Sequence, residues 1–477
     1  MNVRTTGALA MVALLLGAYV YFVEIRGSGM GVEAEAASEK ILEVEADAIL
    51  AVEVPLETGG TARLERDPEE SDLWHLKTPL EYPADSGTVS GMLSALVELE
   101  SEALIEDASD LQRFGLGPEA PEVRIELDGG KSLSLSIGNE APLGSARYVA
   151  VEGDDRVFTV AQWRSSALRP TIRKLRDKRV TTREPDRVDF LRISEFGIPI
   201  VELRRGEGGE GESGEDSAPW RIVHPIEELA DGERVQRLLE DLHFLRAIEF
   251  VDDPGEDLSA YGIDRPEITI ELGEGDQREV LEVGRGDKVH IRSDRTPVIF
   301  EVYDRTLADI PRDLFSFREK RVLTVDEDQI AALEIRFPRE DAAYVYLRDD
   351  FSWKPETEET PEFDALKAGD IVYAARKVVA TGLEEGSVDL KGLGLDPPGV
   401  RVTFRDEEGA EIGWLELGDV TLEKGIIARS SQNDRIWWVK EEMGEDVPLS
   451  LDAFQNRFLE DTPPDNLPID DPNPGDP

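Results

Sequence analysis

Four histidines are the first residues in this chain that could do chemistry: His75, His224, His243 and His290. Imidazole carries protons or binds zinc, and a zinc site needs its ligands at short helical or hairpin spacings. No HExxH or equivalent spacing occurs, so the four are expected to be packed or exposed rather than metal-bound. Cysteine is absent. That excludes disulfides, thiolate metal sites, cysteine nucleophiles and a lipid-modified N-terminal cysteine. No GxSxG elbow or SxxK pair appears. "GEGGEGESG" has the glycines of a phosphate loop, but it lacks the Lys-Ser/Thr and carries acids that repel phosphate. "DDPGED" from Asp252 and "VDEDQ" from Val325 lack the alternating ligands, central Gly and closing Glu of a calcium loop, and read as solvated loops. Arg285-Gly286-Asp287 spells an adhesion tripeptide but falls at a recurring turn. Paired carboxylates for glycoside hydrolysis stay open, because 103 acidic residues supply many candidates. The sequence therefore assigns no catalytic residue, no cofactor and no metal.

Two features carry specific expectations. "LRDKRV" runs from Leu175 to Val180 and "FREKRV" from Phe317 to Val322. Arg179 and Arg321 are expected to join one structural module to the next by pairing with its carboxylates. A third version, "FQNRFL" from Phe454, keeps Arg457 opposite Lys178 and Lys320. The second feature is Trp437-Trp438 in "RIWWVK". Strand neighbours face opposite sides. Either one tryptophan is exposed as a partner surface, or both are covered by adjacent structure.

Charge narrows the partners. There are 103 acidic against 53 basic residues, a formal net charge of -50. That disfavours nucleic acid, which needs clustered Lys and Arg, and it disfavours adhesion to anionic lipid. At 477 residues the chain suggests about three domains of roughly 150 residues each.

These segments must be held by larger elements. From Thr5 to Val23 no residue is charged, and as a helix that run spans roughly 28 Å, the thickness of a bilayer core. Tyr19, Tyr21 and Phe22 gather at its far end. Arg4 before it and Glu24 after it place residues 1–4 in the cytoplasm and export the body, giving a single-pass anchor in the cytoplasmic membrane. A cleaved signal peptide is the alternative, with a small-x-small site at Ala34-Glu35-Ala36 that lies far from the apolar run. Residues 24–40 read as a flexible linker.

The body repeats. Trp74, Trp220 and Trp353 each end an alternating apolar run, so each is expected to close a small antiparallel meander. A helix follows, with one apolar face at Val89, Met92, Leu93, Leu96 and Val97, then at Val235, Leu238, Leu239 and Leu242, then at Ile371, Ala374, Ala375, Val378 and Val379. Gly115, Gly262 and Gly394 come next, each followed by Pro and a strand. A second glycine follows at Gly138, Gly284 and Gly418. A short helix closes each copy. The expected fold class is α+β: an N-terminal transmembrane helix and three tandem α+β modules, 41–183, 184–324 and 325–461. "RGEGGEGESGEDSAP" reads as a hairpin tip, and residues 462–477 as a disordered acidic, Pro-rich tail.

An anchor exiting through "GAYVYFVE", strands leading to a Trp, a helix, and "FGL" or "YGI" followed by Pro resemble the domain-of-unknown-function 4340 family. The resemblance covers Thr5 to Asp461. Its motifs are structural, so it carries over no active-site residues. It implies an exported, membrane-tethered accessory protein, encoded beside gliding-motility-type ABC transporters. The expected function is that of a non-enzymatic periplasmic or extracellular scaffold that binds protein partners such as transporter subunits. Two alternatives are an envelope carbohydrate-active hydrolase using paired carboxylates, and an ion or ligand sensor using the acidic loops.

Overall fold

The computed structural model describes residues 39–105, 110–142, 145–206, 218–349, 352–363, 365–386 and 388–459. The expected anchor at 5–23, the core of the glycine-rich insertion at 207–217 and the tail at 462–477 lie outside these residues. Among the described residues no helix is long and apolar enough to cross a membrane. The chain is α+β, mostly antiparallel sheet with a few helices. It divides into two units. The first takes residues up to Val180 with Leu245–Asp253 and Phe300–Val302; the second takes Thr181–Phe244, Pro254–Ile299 and the residues from Tyr303 on.

The first unit holds β1 (Ile49–Pro55), β2 (Thr61–Arg66), β3 (Trp74–Thr78), β4 (Tyr82–Pro83), β5 (Ala103–Ile105), β6 (Glu122–Leu127), β7 (Ser132–Glu140), β8 (Ala146–Val151) and β9 (Val157–Ala161). They form one sheet in the order β4-β3-β2-β1-β6-β7-β8-β9-β5. Period-two alternation sorts its faces. Val52 lies opposite Leu64 and Ile125, all fully buried. One residue along, Glu53 lies opposite Arg63 and Arg124, and Arg63 reaches Glu65 at 2.7 Å and Glu126 at 2.8 Å. A core thus forms on one face and an Arg–Glu ladder on the other, the cross-strand pairing that stabilises sheets. The Ser86–Val97 helix buries Val89, Met92, Leu93 and Leu96 against that core, each burial stabilising by roughly 1.5–3 kcal/mol. Asp85 caps it, accepting from the Thr88 N–H at 2.8 Å.

His75 pairs with a carboxylate. Its Nε2 lies 2.9 Å from Asp67 Oδ2 on the solvent side of β3. Backbone N–H groups of Glu70 and Glu69, together with His75, hold the Asp67 carboxyl down at about 2. A carboxyl depressed in the folded state adds stability that is complete above its unfolded value near 4 and is lost as pH falls through the folded one. An NMR carboxyl titration should therefore place the Asp67 midpoint near 2. The loop at 67–73 should hold from neutral pH down to about 4 and loosen only below that. A midpoint near 4 would refute the assignment.

In the second unit, one sheet runs β10 (Phe190–Glu195), β11 (Ile198–Arg205), β12 (Trp220–His224) and β13 (Glu228–Leu229). After β14 (Glu249–Val251) come β15 (Ile268–Glu274), β16 (Gln277–Arg285), β17 (Val289–Ser293) and β18 (Ile299–Val302). The seven strands of this unit are ordered β13-β12-β11-β10-β15-β16-β17; β14 and residues 300–302 of β18 group with the first unit. The glycine-rich insertion lies between β11 and β12, which pair antiparallel on either side of it. The other sheet has β19 (Ala332–Phe337), β20 (Ala342–Asp349), β21 (Ser352–Pro355), β22 (Ala380–Glu384), β23 (Val400–Arg405), β24 (Glu411–Thr421), β25 (Gly425–Ser430) and β26 (Asn433–Val439), ordered β21-β20-β19-β23-β24-β25-β26-β22. Corresponding strands keep one order throughout. The Gly232–Phe244 and Ala365–Lys377 helices follow β13 and β21 as the Ser86–Val97 helix follows β4.

Two details differ from expectation. Trp74 and Trp220 open strands rather than closing them, and Trp353 lies inside β21. Apolar periodicity alone does not say on which side of the turn the ring falls. The third helix stops at Lys377, so Val378 and Val379 lie beyond it and Val379 is 53% exposed. The paired glycines have a packing cause. Gly262 has φ of 68°, a left-handed conformation open to glycine. A Cβ on Gly284 would meet the Gly262 carbonyl oxygen, so two backbones touch where side chains would collide.

Candidate functional site

Several buried charges lie in or beside the two basic phrases, among them Arg176, Asp177, Glu228 and Arg318. Each opens on an apolar anchor, Leu175 or Phe317, both fully buried. The next residue is an arginine that sequence reasoning passed over.

In the first unit the residue 175 carbonyl accepts from the Asp85 N–H at 2.8 Å, and Arg176 bridges to Ala84. Its side chain, only 3% exposed, runs inward. The guanidinium carbon sits 4.4 Å from the Tyr82 ring centre and 3.8 Å from that of Phe250, while Nη2 meets Asp252 Oδ1 at 2.7 Å. Two aromatic faces and one carboxylate thus clasp a buried cation, the geometry in which cation–π attraction is strongest. Burial pushes the Tyr82 phenol up to about 12. Two residues on, the phrase reaches the segment before β14. Arg179 bridges to Arg246, the Ala247 N–H donates to the Lys178 carbonyl at 2.8 Å, and the Val180 N–H faces the Leu245 carbonyl at 3.5 Å.

The second phrase repeats this in the second unit. The Asp231 N–H donates to the Phe317 carbonyl at 2.9 Å and Arg318 bridges to Ala230; Arg321 bridges to Val379, the Ala380 N–H donates to the Lys320 carbonyl at 2.8 Å, and the Val322 N–H to the Val378 carbonyl at 3.1 Å. Here the clasp differs. Arg318 Nε lies 2.8 Å from Glu228 Oε1, and Nη1 lies 3.8 Å from Glu385. Glu228 also pairs with Arg435. Beside this network is an open cavity of about 440 Å³, bounded by Ile226–Glu228, Arg318, Leu383–Gly386 and Asp434–Ile436.

The same backbone pattern occurs a third time, before β1. Lys40 bridges to Glu100, the Ser101 N–H donates to the Glu39 carbonyl at 2.9 Å, and the Ile41 N–H to the Leu99 carbonyl at 2.8 Å. The expected linker therefore ends by residue 39.

Both arginines expected to act as junctions, Arg179 and Arg321, also pair inside their own phrases. Arg179 forks onto Asp177, two residues earlier, at 2.6 Å. Arg321, 60% exposed, forks onto Glu319 at 2.8 Å. It is their backbones that make the bridges; the inward side chains belong to Arg176 and Arg318. The register of the third version also shifts. Leu459 bridges to Phe363 as Arg176 does to Ala84, so Phe458 holds the anchor place and Arg457 precedes it. Trp437 and Trp438 are both buried, at 0% and 4% exposure. Trp437 faces the main core, and Trp438 packs with Leu395, Ile427 and Ile436 while its Nε1–H donates to Glu384 at 2.7 Å. Of the two alternatives, the side chains match coverage by adjacent structure. The acidic segments are engaged as well: Asp252 in the Arg176 clasp, and Asp326 capping the short helix Glu327–Gln329. His243 Nδ1 lies 3.0 Å from the Arg183 carbonyl, and the buried His290 ring lies edge-on to Tyr261. Among the described residues no group of three or more His, Asp or Glu is placed to hold a metal ion.

Antiparallel sheets of one strand order, joined to neighbouring segments through short basic phrases, define an α+β protein with much of its buried charge engaged in joining elements. The chain belongs to the family described as Domain of unknown function (DUF4340), whose model matches residues 74–218 and again 220–385. Both matches begin on a tryptophan, Trp74 and Trp220. No curated protein and no solved structure matches the chain.

Proposed function

We propose that this chain is a membrane-tethered extracytoplasmic scaffold, an accessory component of an ABC transporter or envelope complex that acts by binding protein. Three tandem copies of one α+β module, 41–183, 184–324 and 325–461, form its body, and residues 5–23 anchor it with the N-terminus in the cytoplasm. One observation carries the reading. The same strand order and the same three-part backbone stitch recur along the chain, as in arrays whose units bury surface against their neighbours and present extended outer faces. Membership in DUF4340 supports the transporter association that the family resemblance implies. The uncharged run before Glu24 supports the tether, which raises the effective concentration of the body at the membrane.

Mild crosslinking in native membranes followed by purification tests the scaffold. An ABC ATPase or permease should be recovered with the chain. Recovery of the chain alone, under conditions that preserve neighbouring complexes, would overturn the reading. Protease added to spheroplasts should degrade the body, and a protected body would overturn the topology.

A further inference from the structure

The two clasps hold their arginines at equivalent places by different means, and the difference leaves a space. Tyr82 stands two residues before Ala84, which bridges Arg176; Glu228 stands two before Ala230, which bridges Arg318. Phe250 stands four residues after Arg246, and Leu383 four after Val379, the partners of Arg179 and Arg321. The two rings that clasp Arg176 are thus replaced around Arg318 by a carboxylate and a leucine. What opens there is the cavity of about 440 Å³, within the size range of ligand pockets. Arg318 and Glu228 are both more than nine-tenths buried. Although 2.8 Å apart, Arg318 Nε and Glu228 Oε1 are not aligned for a hydrogen bond with each other or with another group.

We propose that this cavity is a binding site for an aromatic ring bearing a nearby positive charge. The ring takes the place of the missing clasp, lying against Arg318 and the apolar wall of Leu383 and Ile436. A guanidinium packs against aromatic rings, and Arg176 lies 4.4 and 3.8 Å from two ring centres here. The charge of the ligand follows from the lining, where five acidic residues surround two arginines; the excess of carboxylates favours a cation at the mouth. Glu385, with its side chain 76% exposed, is placed to meet it. The chemistry fits a tyrosine or tryptophan next to Lys or Arg on another protein, and equally a free aromatic amine. The inference does not rest on tethering or on a scaffold role, because free probes test it.

The test is calorimetric titration of the full chain, in detergent, with tyramine and with acetyl-Lys-Tyr-Lys-amide. Saturable heat from at least one probe is expected. Tighter binding of the peptide assigns the site to a protein partner, and binding of tyramine alone assigns it to a free amine. Leu383→Phe, which restores one ring of the clasp, should weaken binding about fivefold or more by filling the ring's place. Glu385→Lys, at an exposed position, should weaken it comparably, and it covers the case in which Leu383→Phe fails to fold. No saturable heat from either probe up to about 10 mM, or unchanged affinity in the folded variants, overturns the site.

Discussion

Replacing Glu279 with alanine is expected to destabilise the second unit by about 3–5 kcal/mol, the typical cost of breaking a buried ion pair from one side. Glu279 lies in β16 at 1% exposure. Thr181 Oγ1 and Ser293 Oγ each donate to it at 2.9 Å, and Arg183 Nε and Arg295 Nε lie 3.6 and 3.7 Å away. Arg183 is itself buried at 6%. After the substitution it keeps Glu274 at 2.8 Å and Gln277 Oε1 at 3.2 Å, and two buried hydroxyls lose their acceptor. Glu279→Gln keeps one of the two acceptor oxygens, so its cost should be smaller. A chain of two units does not unfold as one cooperative step. The readout is therefore native-state hydrogen exchange at 181–183 and 279–293, compared with the first unit. A loss below about 1 kcal/mol would refute the claim that this carboxylate pins the start of the unit.

The second large effect belongs to Arg176. Arg176→Ala removes a cation held by two rings and one carboxylate, and leaves a void between Tyr82 and Phe250. About 2–3 kcal/mol should be lost, combining a desolvated cation–π contact with an ion pair whose carboxylate is exposed. Arg176→Lys should recover little, since an ammonium lacks the flat, delocalised fork that reaches the rings and the carboxylate together. Hydrogen exchange should quicken first at residues 245–252, which the phrase holds by backbone bonds. If lysine restored wild-type protection there, the guanidinium fork would not be what secures the phrase. Arg179→Ala is the control. Its guanidinium pairs with Asp177 within the phrase while its backbone makes the bridge, so its effect should be smaller than that of Arg176→Ala.

The repeated order was legible because it rests on periodicity. Period-two runs such as the one containing Val52 and Val54 give strands, and the spacing of Val235, Leu238, Leu239 and Leu242 gives a helix face; all four of those residues are buried. What was not legible depends on neighbours distant in sequence. A six-residue phrase with three basic residues does not state which one turns inward. That is fixed by Tyr82, Phe250 and Asp252, supplied from residues far apart. Arg176 was still within reach, because it directly follows the apolar anchor. Strand alternation placed Trp437 and Trp438 on opposite faces, which holds. It could not reveal that the loop carrying Leu395 covers the second face. The cavity beside Arg318 was invisible for the same reason, since it arises from two side chains that are smaller than their counterparts or of another kind.

The stitch made by residues 39–41 has a consequence for inheritance. It uses the same three backbone contacts as the stitches at 178–180 and 320–322, and backbone bonds are indifferent to side-chain identity. A gene rearrangement joining residue 39 to residue 179 would bring together a donor and an acceptor segment that already fit. The shortened product needs no bond that the long chain lacks, and a lengthened one would need none either. Such a join would leave the backbone stitch intact, while the residues around the two buried arginines differ, with an aromatic clasp in one place and an open cavity in another.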